Sequence, residues 1–326
     1  MSRIILNHPL FDGEKVIENA SVVIENGKIT AVNESENTDS SCFLMPALID
    51  THTHITFVEQ TRTMLKNGIA AACDVSAPGS VIENAAPFSI ISSAGMTMGT
   101  LNGRAYVKKM LDGGAKYIKV LLFEPNLMPK SVLKDICNTA HYNGIKVAVH
   151  ATSVKAVRMA VDCCADILLH VPMKEEYPRD LAETIVERGI AVAPTLVMME
   201  AFAKNSRNGY RPADYQNAEN AVRSLHECGV KLLTATDANN GSFAPAVAYG
   251  TSMHREMQLL VQAGMTPTEV LASATSINAE VFGISDLGTV TPRKRAALLL
   301  IEGRPDKNIT DTAKIRQIYI NEGQIL

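Results

Sequence analysis

The chain has 326 residues, 46% hydrophobic and 20% charged, with 31 lysines and arginines against 34 aspartates and glutamates and a formal net charge of −3. That length suits one large α/β domain with a small appended one, and the near-balance of charge offers neither a basic stripe for nucleic acid nor an acidic tail for a cationic partner. No run approaches the roughly 20 apolar residues of a transmembrane helix, and the first twenty residues hold no long apolar core or small-residue cleavage site, so the expected location is the cytoplasm.

The first 45 residues carry short β-branched runs broken by Asp12-Gly13 and Asn26-Gly27, which are hairpin signals. From about Met45 to Ser285 strand and helix signals alternate. Apolar runs fall at 48–54, 69–75, 89–94, 117–123, 146–151, 166–171, 190–196 and 231–236, with amphipathic stretches such as SVLKDICNTAHYNG and RDLAETIVERG between several of them. Gly144, Gly189 and Gly229 stand where helices should end. Eight strands with intervening helices predict a (β/α)8 TIM barrel over 46–286. The segment from His54 to Gly68 is very short for a loop and a helix, which leaves the second and third strands the weakest part of this reading. The last 40 residues are strand-rich again (RAALLLIEG, KIRQIYINEGQIL), so 1–45 and 287–326 together predict one small β domain built from both ends. The six cysteines form no C-x-x-C pair and lie in apolar segments, as buried reduced thiols do.

Chemistry gathers at the ends of the apolar runs. PALIDTHTH ends in His52 and His54, two apart and therefore on one face of a strand, where two imidazoles can share a cation. Lys119 interrupts KYIKVLL, a run otherwise fit for a core, and a charged amine there is costly to bury. It can pair with a carboxylate, or react with carbon dioxide to give an anionic carbamate able to bridge two metal ions. His150 closes KVAVH and His170 closes DILLH, and neutral imidazole is a common ligand for zinc and its neighbours. Asp237 follows LLTAT; a carboxylate there can bind a metal and hold a water proton, or cap a helix. His8, His141 and His226 read as structural or surface residues. Tyr106, Thr195, Met198, Asn239 and His254 are candidates for the walls of a substrate pocket.

Together these segments resemble the amidohydrolase superfamily, in its imidazolonepropionase-like and prolidase-like branch. The resemblance rests on THTH at 51–54, GAKYIKV at 114–120, VAVHA at 147–151, LLHV at 168–171, VAPTL at 192–196 and TATDA at 234–238. It implies a (β/α)8 barrel, a β-sandwich from both termini and a binuclear centre, usually of zinc. On that pattern His52, His54 and Asp237 hold the first metal, His150 and His170 the second, and carboxylated Lys119 bridges. The chain departs from the branch in its short first loop, in Thr152 where a second histidine is usual, and in Ala297 where an aspartate is usual.

The expected activity is hydrolysis of an amide or peptide-type bond in a dipeptide, N-acyl amino acid or cyclic amide. A metal-bridging hydroxide attacks, and Asp237 carries the proton. The alternatives are a mononuclear deaminase or imidazolonepropionase-type ring hydrolase, a lactonase or phosphotriesterase-like hydrolase, and a non-catalytic relative. The partner is a small-molecule substrate, and the chain is compatible with a homo-oligomer.

Overall fold

A computed structural model of the chain describes residues 3–206, 209–321 and 323–324. The chain opens with β1 (Arg3–Phe11), β2 (Val16–Glu25), β3 (Lys28–Glu34) and β4 (Cys42–Pro46). β1 and β2 pair antiparallel, as do β2 and β3. The Asp12 carboxylate accepts the N–H groups of Glu14 and Lys15 at 2.8 and 2.9 Å in the first turn. Asn26 and Gly27 both take positive φ, 49° and 73°, as the tight turn between β2 and β3 demands.

The middle of the chain then alternates: β5 (Leu48–Thr53), α1 (Val58–Lys66), β6 (Ile69–Asp74), α2 (Gly79–Glu83), β7 (Ser89–Ser92), β8 (Met96–Thr97), α3 (Gly103–Asp112), β9 (Ile118–Leu122), α4 (Lys130–Tyr142), β10 (Val147–Ala151), α5 (Val154–Asp162), β11 (Ile167–Leu169), α6 (Arg179–Glu187), β12 (Ala191–Ala193) and α7 (Leu196–Lys204). Its strands form two parallel sheets, β5-β6-β7 and β12-β11-β10-β9-β8. The second and third strands stand where the sequence puts them, because α1 needs a link of only four residues after β5.

After α8 (Tyr215–Glu227), the apolar run 231–236 forms no continuous ladder, yet it bonds on both sides. Val192 N donates to Lys231 O (3.0 Å) and Leu233 N to Val192 O (2.8 Å), while Thr51 N donates to Thr234 O (3.3 Å) and Asp237 N to His52 O (2.9 Å). The run therefore joins β12 to β5. On the other side, Lys116 N donates to Ser92 O (2.8 Å), linking the end of β7 to the start of β9. The strands enclose a cluster of small and branched side chains, Cys73, Ala148, Ile167, Leu169, Ala191 and Leu233 among them, while Ile118, Val120, Val147 and Val149 join the larger core outside.

α9 (Thr251–Gln262), α10 (Pro267–Ala272), a π turn at Ser273–Ile277 and α11 (Asn278–Phe282) follow. The π turn brings polar side chains against the eighth run. Ser273 Oγ donates to Leu232 O (2.9 Å), and Asn278 Nδ2 reaches Ile49 O (2.7 Å) and Thr234 O (2.9 Å).

β13 (Ala297–Glu302), β14 (Ile315–Ile320) and β15 (Gly323–Gln324) return to the first four strands in one seven-stranded sheet, ordered β15-β14-β13-β4-β1-β2-β3. Both ends of the chain thus build one unit. Among the described residues it is a single sheet rather than two separate ones. Leu6, Leu10, Val22, Ile29, Leu298 and Tyr319 share one cluster, and Ile29 N donates to Lys294 O (3.0 Å), so the sheet bends around its own core. Four cysteines are buried as free thiols; Cys164 is exposed and Cys228 half-buried. Among the described residues no helix is long and apolar enough to cross a membrane.

Asn278 is fully buried, and its amide donates to two buried carbonyls, Ile49 O and Thr234 O, the second of which also accepts Thr51 N. Asn278→Ala should cost about 2 kcal/mol, the scale for orphaning buried polar groups. Urea unfolding should show the loss as a lower midpoint, and an unchanged midpoint would refute this role.

Candidate metal centre

The strand pleat delivers the chemistry-bearing side chains to one end. Lys119 lies between Ile118 and Val120, which face the outer core, so its own side chain turns inward and is only 1% exposed. Burial pushes its amine down to about 7, with the Asp237 carboxylate opposing the shift. His150 follows the same alternation between Val149 and Ala151. His170 breaks it. Ile167 and Leu169 point into the enclosed cluster, so the next residue should point out, but a left-handed backbone at His170 (φ 71°) swings the ring back over the floor. Asp237 (φ 58°) also stands in the left-handed region.

One ligand atom each from His52, His54 and Asp237 lies within 4.8 Å of the others. Asp237 Oδ1 is 2.9 Å from His54 Nε2 and 3.4 Å from His52 Nε2. Even so, this buried oxygen makes no hydrogen bond of proper geometry, so the short distances are contact without pairing. Lys119 Nζ is 3.4 Å from His52 Nε2. The rings of His150 and His170 meet edge to face with centroids 4.4 Å apart, and His52 and His170 are 5.4 Å apart. Burial holds the pKa values of His52, His150 and His170 well below the usual histidine range. The charge on Lys119 adds to this for His52 and His150, and His150 adds to it for His170. All three are neutral near pH 7, the form that binds metals. His52 Nδ1 and His150 Nε2 are, like Asp237 Oδ1, buried without a partner. Orphaned buried atoms on neutral imidazoles and a carboxylate fit a divalent cation.

Neighbouring groups fix these side chains. Asp50, whose carboxyl burial pushes up to about 7, accepts Thr236 Oγ1 (2.6 Å), Thr236 N (3.0 Å) and His52 N (3.3 Å). It thereby ties β5 to the turn that carries Asp237. A cavity of about 690 Å³ opens above, with His52, His54, Lys119, His150, His170 and Asp237 on its floor.

None of the five residues expected in the pocket wall lines this cavity. Tyr106 points beneath it and donates to Lys119 O (2.7 Å). Thr195 bonds His170 Nδ1 (2.7 Å). Met198 is packed in the core of α7. Asn239 Nδ2 donates to Asp237 O (3.0 Å) and Pro245 O (3.1 Å), which consumes its amide. His254 belongs to the buried face of α9, with Nδ1 at Thr312 Oγ1 (3.1 Å) and Nε2 at Asn67 O (3.2 Å). The wall is made instead by Met96, Met98, Leu121, Phe123, Met199, Phe202, Tyr210 and Phe243, with Glu124, Lys174 and Glu175 as its charged members. Sequence reasoning missed these, although several follow directly on strand ends. Phe123-Glu124 comes straight after β9, and Lys174-Glu175 comes four residues after His170.

The model of the Amidohydrolase family matches residues 43–321. An imidazolonepropionase of Cereibacter sphaeroides is 37% identical over 81 residues, which is 25% of this chain and 20% of that protein, so the match spans about a fifth of the relative's length. A solved Xaa-Pro dipeptidase with bound methionine superposes with a TM-score of 0.84 at 18% identity, covering 99% of each chain. A Bifidobacterium longum protein described as a prolidase gives 0.82 at 21% identity, covering 99% of this chain and 94% of that one. At those identities the two structures speak for the fold alone.

Lys119 has a consequence for stability. Its folded pKa of about 7 lies below the usual 10.5, so between those values the unfolded chain binds more protons and stability must rise with pH. Metal-free, carbonate-free protein should gain about 1 kcal/mol from pH 8 to pH 9, and Lys119→Met should abolish the gain. A flat profile in the parent would show that the amine keeps its proton.

Proposed function

Because the chain belongs to the amidohydrolase family, we propose that it is a metal-dependent hydrolase cleaving an amide- or peptide-type C–N bond in a small molecule. The observation that carries this reading is the convergence of four histidines, one carboxylate and a lysine whose amine burial pushes down to about 7 on the floor of a single cavity. We read the frame as a (β/α)8 barrel over 46–286, supported by hydrogen bonds that pass from sheet to sheet on both sides, with 1–45 and 287–326 as the small β domain.

His52, His54 and Asp237 would hold one divalent ion, and His150 and His170 a second. The nitrogen and oxygen donor set suits zinc. Such ions, when bound, supply Lewis acidity toward a carbonyl oxygen and lower the pKa of water from about 15.7 toward about 7. Lys119 would bridge as a carbamate: its neutral amine adds to CO2, forming an N–C bond and releasing one proton. Burial supports this by supplying the neutral amine near pH 7. Asp237, whose backbone carbonyl Asn239 holds, is the carboxylate placed to take the proton of the attacking water and return it to the leaving nitrogen. Phe123, Met199, Phe202 and Phe243 keep the floor dry, and Lys174 offers the substrate a cation on one wall.

A mononuclear ring hydrolase is the second reading. The local identity to imidazolonepropionase favours it, as does the fact that His52, His54 and Asp237 are the one three-donor group of histidine, cysteine and acidic residues among the described residues.

Elemental analysis of protein purified without chelator and supplied with bicarbonate should find about two divalent ions per chain. One ion would transfer the case to the mononuclear reading, and none under any metal supply would end both. Lys119→Ala should lower metal content and rate together, with partial return on adding a short carboxylic acid; unchanged content would remove the carbamate.

Asp237→Asn keeps a ligating oxygen and loses the base. Turnover of dipeptides or N-acyl amino acids should fall by about 10²- to 10⁴-fold, with most of the metal retained. Turnover near the parental rate would place the proton transfer elsewhere.

A further inference from the structure

Thr195 sits behind the floor in a conformation that β-branched residues rarely adopt, φ 51° and ψ 50°. Its hydroxyl has two neighbours. Oγ1 lies 2.8 Å from Pro194 O, to which it donates, and 2.7 Å from His170 Nδ1. A hydroxyl has one hydrogen. With that hydrogen on the Pro194 carbonyl, Oγ1 must accept from His170, so the proton of this neutral imidazole stays on Nδ1. The lone pair is then on Nε2, the nitrogen for which no hydrogen bond is formed among the described residues.

The left-handed turn at Thr195 is held from its other side. Leu196 and Val197, the first two residues of α7, donate their N–H groups to Glu256 Oε1 (2.9 Å) and Oε2 (2.7 Å). Glu256 projects from α9 and is fully buried, so one carboxylate fixes where α7 begins and therefore how Thr195 must turn. The N–H groups at a helix start have no partner within the helix, and here both are committed to this side chain.

We infer that Thr195, locked by Glu256, is the positioning residue that holds His170 in the tautomer presenting Nε2 to the cavity. This rests on the metal-centre reading for its purpose but not for its geometry. Outer partners of this kind typically change metal affinity by about 10- to 100-fold.

The test uses full-length, metal-free protein labelled with ¹⁵N-histidine, its His170 signal identified by its absence in His170→Asn. Two-bond ¹H–¹⁵N spectra of the parent and of Thr195→Ser should show the Nδ1–H form. Thr195→Val, equal in shape but without an acceptor, should shift toward Nε2–H, and Glu256→Gln should shift in the same direction. Titration with Co²⁺ alone should then show the second ion bound about 10- to 100-fold more weakly in Thr195→Val and restored in Thr195→Ser. Parental tautomer and affinity in Thr195→Val would overturn the inference, and a shift there with none in Glu256→Gln would overturn the part given to Glu256. The spectra read out without metal, so a parent that binds none would defeat the metal reading and leave the tautomer result to stand or fall alone.

Discussion

A carboxylate, three neutral imidazoles and an amine driven toward neutrality occupy one cavity floor, and they do not satisfy one another. Asp237 Oδ1 touches two histidine rings yet bonds neither, and His150 Nε2 faces no partner. Each such buried group forgoes about 1–3 kcal/mol relative to a satisfied one, so the arrangement opposes folding in the absence of a cation. It persists because the atoms behind it are satisfied. Tyr106 holds the Lys119 carbonyl, Asp50 holds the turn before Asp237, and Tyr249 donates to His54 O at 2.6 Å. Around the cavity, the unmet demand falls on His52 Nδ1, His150 Nε2 and Asp237 Oδ1.

Backbone strain lies at this floor and just behind it. His170, Thr195 and Asp237 are non-glycine residues with φ of 71°, 51° and 58°, each at the end of a strand or extended run. Left-handed conformations at such residues cost on the order of 1–3 kcal/mol and last only where the surroundings allow no relaxation. Here the surroundings are backbone bonds: His170 N to Ala193 O at 2.8 Å, Asp237 N to His52 O at 2.9 Å, and the start of α7 on Glu256. Strain stands at His170 and Asp237 because a strand alone cannot aim two successive residues into one cavity. A left-handed turn can.

Which residues meet on the cavity floor was legible in the sequence, because a polar residue inside an apolar run of strand length is a local anomaly. Lys119 in KYIKVLL and the paired histidines of THTH are such anomalies. The parallel order of the middle strands was legible for a similar reason: helix and strand periods alternate there. The direction in which His170 points was not legible, because period-two reasoning sends it outward and only the left-handed turn corrects this. The pocket wall was hidden as well. Met198 and His254 carry suitable chemistry, but the helical period puts both on the buried faces of α7 and α9, while Met199 and Phe202 lie one and four residues on from Met198 and reach the cavity. The sheet at the chain ends is built from strands that short β-branched runs announce. Its closure into one bent sheet depends on pairing between 27–29 and 293–296, which no local pattern announces.

Floor and wall are built from different parts of the chain. The floor comes from strand ends whose positions are fixed by backbone ladders, so the reaction it supports is tied to the fold. The wall comes from segments after those strands, and its charged members are already engaged. Lys174 Nζ lies 3.3 Å from Asp214 and 4.9 Å from the centre of the Tyr210 ring, and Asp214 is also held by Arg211 at 2.9 Å. Two cations share that one carboxylate, so this cluster keeps a positive charge, while Glu124 and Glu175 are the acidic members of a wall otherwise lined by aromatic and sulphur-bearing side chains. A small molecule in this cavity therefore meets an apolar surface, a cation that is only partly neutralised and two carboxylates. Neither property follows from the metal ligands, and chains that share the floor are free to differ in what they cleave.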